Sequence, residues 1–436
     1  MGFEKTYIFG KKEAVANATL VSCEKLYDSE SGYGFVTEEN RKKYDMLRIP
    51  ELNSAFIPYN WCENEMLTKI QEDENGCFLD SKAIVNEAGK GNPTILQGEK
   101  KRIPLLFKSD VLAQGNYRVV ITIETKHDME DVLIYAGRRR LCYKGKISKG
   151  KFVFTTIVNI CDFIPRNYTQ VYEDKTLDIA IVADRPVLSA VSIVEIQCPT
   201  VYIAGDSTVT DQNAEYPYAP GTSYSGWGQM LTAFLHGNIA VSNHAHSGLS
   251  TESFREEGHY AIVEKYAKPG DFLVMQFGHN DQKQKHLSAR EGYRDNIIRF
   301  VQECRSKGMY PIIVTPFARN TWKENDEKIN GLLIDKATVS GEGYNDYLLD
   351  NALVCKEIGN EMDVPVIDLH GFSKDMIIQM GQESAKIYYY PGDLTHSNDY
   401  GAYKMAGFVA QSILRLCAWH EEAAYRTLAD KILVDS

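Results

Sequence analysis

The sequence predicts an α/β protein in two parts, an antiparallel β-sandwich followed by a parallel sheet with helices on both faces. Up to about residue 198 the chain consists of short β-rich runs separated by Gly, Asn and Asp, which is typical of a sandwich. From residue 199 onwards, apolar strands, glycine-bearing turns and amphipathic helices alternate, and this alternation indicates right-handed crossovers. A chain of 436 residues is long for a single core. We therefore expect domains at residues 1–198 and 199–436.

The first part contains five clear strand candidates. They are residues 117–125, 131–137, 151–160, 176–184 and 188–197. A basic stretch, "GRRRLCYKGKISKGK" at 137–151, is interrupted by apolar residues, so it predicts a solvated sheet edge more readily than a phosphate site. The first hundred residues are less regular, and the pattern does not divide them into strands.

The second part alternates strand and helix patterns without a linker or an internal repeat. The strand candidates are 200–205, 239–245, 271–278, 310–317 and 364–369, and the main helix candidates are 226–235, 292–308, 347–362 and 401–416. Because no low-complexity segment separates the two parts, we expect a short boundary near Cys198 and Pro199.

The composition excludes several classes of protein. The hydrophobic fraction of 44% argues against disorder, and the formal net charge of −11 argues against a nucleic-acid-binding surface. No uninterrupted apolar run reaches the length of a membrane span, and the N-terminus does not have the pattern of a signal peptide. Nine cysteines, an odd number with no C-x-x-C pair, favour reduced thiols over disulfides or a zinc site. We therefore expect a cytoplasmic protein without a membrane partner.

Candidate catalytic residues follow the predicted strands. Ser207 lies in "GDST" after the first strand of the second part, Gly248 in "HSGLS" after the next, and Asn280 in "GHND" after the third. Ligands bind at the carboxyl ends of strands in open parallel sheets. A serine nucleophile needs a base and an acid that orients it, and "PGDLTHSNDYGA" supplies Asp393 and His396 three residues apart. Each residue alone also fits a turn or a surface position, so only the set predicts catalysis.

Five stretches resemble one known family. "VYIAGDSTVTDQ", "GWGQML", "VSNHAHSGLSTESF", "KPGDFLVMQFGHNDQK" and "DLTHSNDYGAYKMA" occur in order across residues 201–407 and resemble the SGNH or GDSL hydrolase superfamily, in its rhamnogalacturonan acetylesterase branch. The resemblance implies a flavodoxin-like three-layer fold with strand order 2-1-3-4-5 and a serine esterase without a metal or other cofactor. The first part resembles the galactose-binding-like β-sandwich that precedes the catalytic domain in many bacterial members.

The resemblance also implies a role for each candidate. Ser207 would be the nucleophile, His396 the general base and acid, and Asp393 the group that orients His396. The N–H groups of Ser207 and Gly248 and the side chain of Asn280 would form the oxyanion hole. The implied substrate is an acetylated plant-wall oligosaccharide of the pectin or rhamnogalacturonan type. The alternatives are other acetylated sugars such as xylan fragments, small lipid esters, or a carbohydrate-binding protein without catalysis.

Other residues are weaker candidates for substrate contacts. Tyr224 and Trp227 could stack on a sugar ring, although Trp227 equally fits the core. If the sugar carries a carboxylate, Arg255, Lys283 and Arg319 are candidate cations, each just beyond a strand end. His279 could contact the substrate or support the turn, and Asp206 should brace the turn. His244 and His246 have the spacing of a metal pair, but a metal site is disfavoured. The loop at 318–345 should shape the site. The sequence does not indicate an oligomeric state.

Overall fold

The computed structural model describes residues 2–13, 15–37, 69–79, 84–85, 100–165, 168–214, 218–325, 333, 337–340 and 343–433. The chain divides into two compact units: unit 1 contains Met1–Cys198 and Gln212–Ser223, and unit 2 contains Pro199–Asp211 and Tyr224–Ser436. The segment 212–223 thus belongs to unit 1, although it lies beyond the single boundary expected near residue 198. The backbones of Tyr218 and Arg102 hold it there, because each N–H donates to the other's carbonyl at 2.8 Å.

Unit 1 is built from β-strands. They are β1 (Glu4–Phe9), β2 (Thr19–Val21), β3 (Tyr33–Phe35), β4 (Ile70–Glu72), β5 (Cys77–Leu79), β6 (Ile84–Val85), β7 (Lys100–Lys101), β8 (Leu105–Asp110), β9 (Gly115–Thr125), β10 (Met129–Ala136), β11 (Arg140–Ile147), β12 (Gly150–Ile160), β13 (Thr176–Val182), β14 (Val187–Leu188) and β15 (Ala190–Ile196). Two five-stranded sheets have the orders β12-β9-β15-β1-β2 and β11-β10-β13-β8-β3. Smaller sheets are formed by β14-β5-β4 and by β6-β7. The basic stretch that the sequence predicted as a sheet edge contains β11, which is an edge strand of its sheet.

Alternating side chains join the two five-stranded sheets. Along β9, alternate residues from Tyr117 to Thr125 are buried, as expected for a strand with one face on the core. Phe107 of the other sheet packs against Tyr7 and Phe9 of β1, with ring centroids 5.1 and 4.9 Å apart. The core of unit 1 therefore lies between the two sheets.

Unit 2 is an α/β unit around a parallel sheet. The strands of this sheet are β16 (Thr200–Gly205), β17 (Ala240–Asn243), β18 (Phe272–Gln276), β19 (Tyr310–Val314) and β22 (Val366–Ile367). Between β19 and β22, the chain forms a separate antiparallel pair, β20 (Thr338–Ser340) and β21 (Tyr344–Asp346). The α-helices of unit 2 are α1 (Trp227–Met230), α2 (Ser253–Glu256), α3 (His259–Tyr266), α4 (Arg294–Ser306), α5 (Leu349–Met362), α6 (Leu369–Ala385), α7 (Asp399–Cys417) and α8 (Ala423–Ala429). The sheet order is β17-β16-β18-β19-β22, and all of its pairs are parallel. The first strand of unit 2, β16, thus lies between the second, β17, and the third, β18.

Helix and strand patterns explain the core of unit 2. Every residue of β16 and β18 is buried, which is typical of parallel strands covered on both faces. The buried residues of α4 are Ile297, Phe300, Val301 and Cys304, a spacing that places them on one helix face. Phe300 stacks on Phe277, beyond the end of β18, with ring centroids 5.9 Å apart. This packing fixes α4 beside the strands that end at the candidate site.

Some predicted elements differ in length from those observed. The predicted helix at 226–235 is a single α-turn, α1, followed by a 3-10 turn at Leu231–Phe234. The predicted strand at 364–369 ends at Ile367, because the carboxylate of Asp368 accepts the N–H of Gly371 and begins α6. The pattern did not indicate α6, since Gly371 and Gly381 interrupt it and glycine disfavours helix.

The aromatic contact at Phe107 gives a test of the core of unit 1. The Phe107→Ala change should lower the free energy of unfolding of this unit by about 3 to 5 kcal/mol, because a ring that is only 1% exposed leaves a cavity. Urea unfolding followed by far-UV circular dichroism measures the change. Leu112→Ala is the matched control, because Leu112 is 74% exposed and its truncation should have little effect. Equal stability of the two variants would contradict the described core.

Candidate functional site

The turn that carries Ser207 is fixed by a buried carboxylate. Asp206 is fully buried, and its Oδ1 accepts hydrogen bonds from the N–H and the hydroxyl of Thr208 at 2.9 and 2.7 Å. The hydroxyl of Thr210 donates to the carbonyl of Asp206 at 2.8 Å. Ser207 itself is only partly buried. The turn therefore holds the hydroxyl of Ser207 at the carboxyl end of β16, at the surface of unit 2.

A hydrogen-bond relay joins Ser207 to the C-terminal part of the chain. The Oγ of Ser207 lies 2.8 Å from Nε2 of His396, and Nδ1 of His396 lies 2.8 Å from Oδ2 of Asp393. An ionised carboxylate only accepts hydrogen bonds, so Nδ1 carries the proton and Nε2 is free to accept the Ser207 proton. The side chains of His396 and Asp393 keep 32% and 20% of their surface exposed. The three residues therefore have the geometry of a nucleophile, a base and an orienting acid.

The three-residue spacing of Asp393 and His396 follows from a tight turn. The Oδ1 atom of Asp393 accepts the backbone N–H groups of Thr395 and His396 at 2.6 and 3.0 Å. The N–H of Tyr390 donates to the carbonyl of His396 at 2.9 Å, which closes the loop. Burial alone would raise the pKa of Asp393, but its bonds with His396 lower it below the ordinary value. Asp393 is therefore held as a carboxylate.

Asn280 and Gly248 lie at two further strand ends, and hydrogen bonds join these segments. Gly248 has a φ of +90°, a conformation that favours glycine. The Nδ2 of Asn280 donates to the carbonyl of Leu249 at 3.0 Å, and the N–H of His246 donates to the carbonyl of Gly205 at 3.1 Å. Within the described part of the chain, the N–H groups of Ser207 and Gly248 donate to no protein acceptor.

A second buried acid braces the Asn280 segment. The Oδ1 of Asp281 accepts the N–H and the hydroxyl of Thr251 at 3.0 and 2.6 Å, and its Oδ2 accepts the N–H of Gly278 at 3.1 Å. Burial raises the pKa of Asp281 to about 6, although the bonds with Thr251 oppose that shift. These bonds fix the backbone on both sides of Asn280.

His279 supports the turn and has almost no surface to offer a sugar. Its Nδ1 lies 3.0 Å from Oδ2 of Asp206, and its Nε2 lies 2.9 Å from the carbonyl of Phe317. The residue is 2% exposed. Of the two roles that the sequence left open for His279, this environment favours the supporting one. Burial raises the pKa of Asp206, but the charge and hydrogen bond of His279 and the bonds from Thr208 lower it overall.

The buried side chain of Arg319 joins two segments of the site by hydrogen bonds. Its guanidinium donates to the carbonyl of His279 at 3.3 Å and to the hydroxyl of Thr395. Arg319 is 6% exposed, and burial lowers its pKa to about 10. The hydroxyl of Tyr344 donates to the Arg319 carbonyl at 2.9 Å. Arg319 therefore places a positive charge next to the segment that contains Asp393 and His396.

Two predicted substrate contacts have other partners. Trp227 is 1% exposed, and its Nε1 donates to Oε1 of Gln276 at 2.8 Å, so its ring is part of the core and does not stack on a sugar. The guanidinium of Arg255 lies over the rings of Tyr260 and Phe300 at 4.5 and 4.4 Å and pairs with Glu303. Arg255 thus packs in the helix layer and makes no described contact with Ser207, Asp393 or His396.

An aromatic pair that includes an unpredicted residue lies beside the relay. The rings of Tyr224 and Tyr390 stack with centroids 3.4 Å apart and planes at 11°. The ring of Tyr224 also meets the imidazole of His396 edge to face at 5.7 Å, and Tyr224 is 38% exposed. The sequence signal for Tyr390 was its place three residues before Asp393 in "YYYPGD". The pair offers an aromatic surface next to His396.

The described residues contain neither a candidate metal site nor a candidate membrane span. No group of three or more His, Cys, Asp or Glu there could hold a metal ion. His244 bonds the hydroxyl of Ser242 at 2.9 Å, and Nδ1 of His246 lies 3.2 Å from the carbonyl of Ser247. No helix among these residues has the length and apolarity needed to cross a membrane. No disulfide joins the cysteines of this part of the chain, whereas Cys62 lies outside the described residues. Residues 326–332, 334–336 and 341–342 of the predicted loop at 318–345 also lie outside them.

Comparisons with known proteins agree on one family. The model of the GDSL-like Lipase/Acylhydrolase family matches residues 203–403. The rhamnogalacturonan acetylesterase RhgT of Bacillus subtilis is 34% identical over 230 residues, which are 50% of this chain and 90% of RhgT. The uncharacterized esterase YxiM of the same organism is 28% identical over 395 residues, or 89% of this chain and 85% of YxiM. The crystal structure of YxiM aligns over 95% of this chain and 98% of that one, with 21% identity and a TM-score of 0.42. The chain belongs to the SGNH/GDSL hydrolase superfamily, in its rhamnogalacturonan acetylesterase-like branch, and is an esterase.

Proposed function

We propose that this esterase removes O-acetyl groups from plant-wall oligosaccharides of the pectin or rhamnogalacturonan type, by acyl transfer through Ser207. The observation that carries the mechanism is the relay from Asp393 through His396 to Ser207, with both hydrogen bonds at 2.8 Å. The names of RhgT and of a second Bacillus subtilis relative, the probable rhamnogalacturonan acetylesterase YesY, support the sugar class; YesY is 30% identical over 50% of this chain and 93% of its own length.

The first step transfers the acetyl group to the enzyme. His396 Nε2 takes the proton of Ser207 as Oγ forms a bond to the acetyl carbon. The carbonyl electrons move to oxygen and give a tetrahedral oxyanion. When this intermediate collapses, the bond to the sugar oxygen breaks and His396 returns the proton to that oxygen. The products are the deacetylated sugar hydroxyl and acetyl-Ser207.

The second step uses water in place of the sugar. His396 takes a proton from a water molecule, whose oxygen attacks the acetyl carbon of acetyl-Ser207. Collapse of the second oxyanion breaks the bond to Oγ, and His396 returns the proton to Ser207. Acetic acid leaves and ionises in water. Asp393 stabilises the imidazolium form of His396 in both steps through the bond to Nδ1.

Three donors are proposed for the oxyanion. They are the N–H groups of Ser207 and Gly248 and the side-chain amide of Asn280. The hydrogen bonds that hold the Asn280 and Gly248 segments together support this role, because a donor fixed in advance does not have to reorganise during the reaction. Each donor should stabilise the transition state by about 3 kcal/mol.

Substrate contacts are proposed for the aromatic pair and two cations. The face of Tyr224, supported by Tyr390, would stack on a pyranose ring. Lys283 and Arg319 would supply a local positive charge for a uronate. We further propose that unit 1 is a galactose-binding-like accessory domain, which its two packed five-stranded sheets support. The observations favour no alternative substrate over acetylated pectic sugars, and the intact relay argues against a protein that only binds carbohydrate.

The Ser207→Ala change tests the proposed reaction. Acetate release from p-nitrophenyl acetate and from acetylated pectic oligosaccharides should fall roughly 10³- to 10⁶-fold, because the acyl-enzyme no longer forms. Ser306→Ala, at the far end of α4, is the matched control and should keep full activity. Acetylated xylo-oligosaccharides and nitrophenyl esters of longer acids define the substrate class. Unchanged acetate release by Ser207→Ala would refute the mechanism, and a preference for long acyl chains would refute the sugar substrate.

The lowered pKa of Asp393 gives a pH test. The stability that this carboxylate adds to the fold is present above its unfolded pKa of about 4 and is lost as the pH falls through its lower folded pKa. The difference in thermal midpoint between the wild type and Asp393→Asn should therefore shrink as the pH falls from about 5 to about 3. Differential scanning fluorimetry measures it, with exposed Asp375→Asn as the control. A difference that stays constant with pH would contradict the paired carboxylate.

The Tyr224→Ala change separates sugar recognition from chemistry. Loss of the stacking face should raise KM for acetylated oligosaccharides several-fold, at a cost of about 1 kcal/mol, while kcat/KM for p-nitrophenyl acetate changes much less. Tyr168→Ala is the control, because Tyr168 is an exposed tyrosine of unit 1. Equal losses on both substrates would mean that Tyr224 acts through His396 and not through the sugar.

A further inference from the structure

The amide of Asn280 has a charged partner on the side away from its donor group. Lys283 ends the 3-10 turn at Asp281–Lys283 that follows Asn280, and its Nζ donates to Oδ1 of Asn280 at 2.8 Å. The N–H of Lys283 donates to the Asn280 carbonyl at 3.1 Å. On the other side of the amide, Nδ2 of Asn280 donates to the carbonyl of Leu249 at 3.0 Å. The side chain of Asn280 is thus held at both of its ends.

These two bonds determine which way the amide points. An ammonium group only donates hydrogen bonds, so the amide oxygen must face Lys283 and the amide nitrogen must face the loop at 247–249. One hydrogen of Nδ2 bonds to Leu249, and the other remains for a ligand. Without the ammonium, the oxygen could turn towards the developing oxyanion and repel it.

We propose that Lys283 is a positioning residue for the oxyanion hole, which fixes the orientation of the Asn280 amide and strengthens its remaining N–H as a donor. This inference rests on the proposed function. Hydrogen bonds with a charged partner are roughly twice as strong as neutral ones, and a bond to the amide oxygen polarises the N–H at the other end. The effect is largest in the transition state, when the oxyanion carries its full charge.

The surroundings of Lys283 suit this role. Partial burial and the nearby positive charge of Arg319 lower the pKa of Lys283, and Asp206 partly opposes them. The residue as a whole is exposed, so the role rests on the bond from its Nζ to Oδ1 of Asn280 and not on desolvation. As the pH rises through the lowered pKa, the ammonium loses its charge, and the advantage of the wild type over an uncharged variant should fade.

A direct contact with an acidic sugar is the other role open to Lys283, and the two roles differ in their substrate dependence. A cation that binds a uronate matters only for substrates with a carboxylate. A residue that orients Asn280 matters equally for a neutral ester such as p-nitrophenyl acetate, because every acetyl ester passes through the same oxyanion. The neutral ester therefore decides between the roles.

The experiment compares Lys283→Met with Lys285→Met. Lys283→Met should lower kcat for p-nitrophenyl acetate roughly 10- to 100-fold, the range expected for a lost hydrogen bond to a charged group, and change KM little. Lys285→Met removes the same charge two residues away and should leave kcat unchanged. Lys283→Arg, which keeps a charged donor, should recover most of the rate. The affinity for an alkylboronic acid, which forms a tetrahedral adduct with Ser207, should fall in Lys283→Met by the same factor as kcat.

A double-mutant cycle with Asn280→Ala identifies the residue through which Lys283 acts. In the Asn280→Ala background, Lys283→Met should cause no further loss, since the two changes remove one unit of the site. Independent losses, a loss confined to acidic sugars, or an equal loss in Lys285→Met would each overturn the proposal. If Lys283→Met does not fold, Lys283→Gln and the pH dependence of kcat in the wild type and Lys283→Arg replace it. In that case an identical alkaline limb in the two proteins would overturn the proposal.

The same assays separate this inference from the proposed function. If Ser207→Ala abolishes acetate release and Lys283→Met retains the full rate, the reaction stands and only the role of Lys283 fails. If Ser207→Ala retains activity, the reaction itself fails, and the inference about Lys283 fails with it.

Discussion

The buried carboxylate of Asp206 is the constraint on which the site depends. It accepts two bonds from Thr208, which shape the turn that contains Ser207. It also accepts one bond from His279, which follows the neighbouring strand β18. The carbonyl of His279 accepts from Arg319, and Arg319 also bonds Thr395 in the loop that contains His396. One buried acid therefore connects the three segments that must meet. A charge in this environment is tolerated only when its partners are in place, so the segments that supply these partners depend on one another.

The parallel sheet supplies the location of the site, and local turns supply its distances. The strand order brings β16, β17 and β18 side by side, so residues that follow them share one edge. The relay nevertheless joins Ser207 to His396 across 189 residues of sequence. The turn at Asp393 positions the imidazole of His396 in this connection, because the Asp393 carboxylate accepts two backbone N–H groups and the N–H of the imidazole. Preorganisation of this kind lets hydrogen bonds act on the transition state without a reorganisation cost.

Sequence patterns predicted the strand ends well and the directions of side chains poorly. Ser207, Gly248 and Asn280 could be named because strand periodicity and turn composition are local properties. For Trp227 the sequence left the core and a sugar contact equally open, and it did not indicate the packing of Arg255 on Phe300. Both outcomes depend on partners in other parts of the chain, Gln276 of β18 and Phe300 of α4. The same limit applies to α6, whose two glycines weaken the local helix signal while tertiary contacts decide its conformation. Lys283 is a further example: its place just beyond a strand end was visible in the sequence, but not the amide oxygen of Asn280 that its ammonium faces.

The proposed sugar contact and the relay meet at Tyr224. Its backbone pairs with Asn398, the hydroxyl of Ser397 donates to the carbonyl of Ser225 at 2.7 Å, and its ring meets both Tyr390 and His396. A sugar that stacks on the exposed face of Tyr224 would therefore bind to a ring that packs against His396. Binding energy from a part of the substrate that does not react can in this way restrict the motion of the imidazole. A small ester without a sugar ring cannot make that contact. It should therefore react while the imidazole of His396 is less restrained.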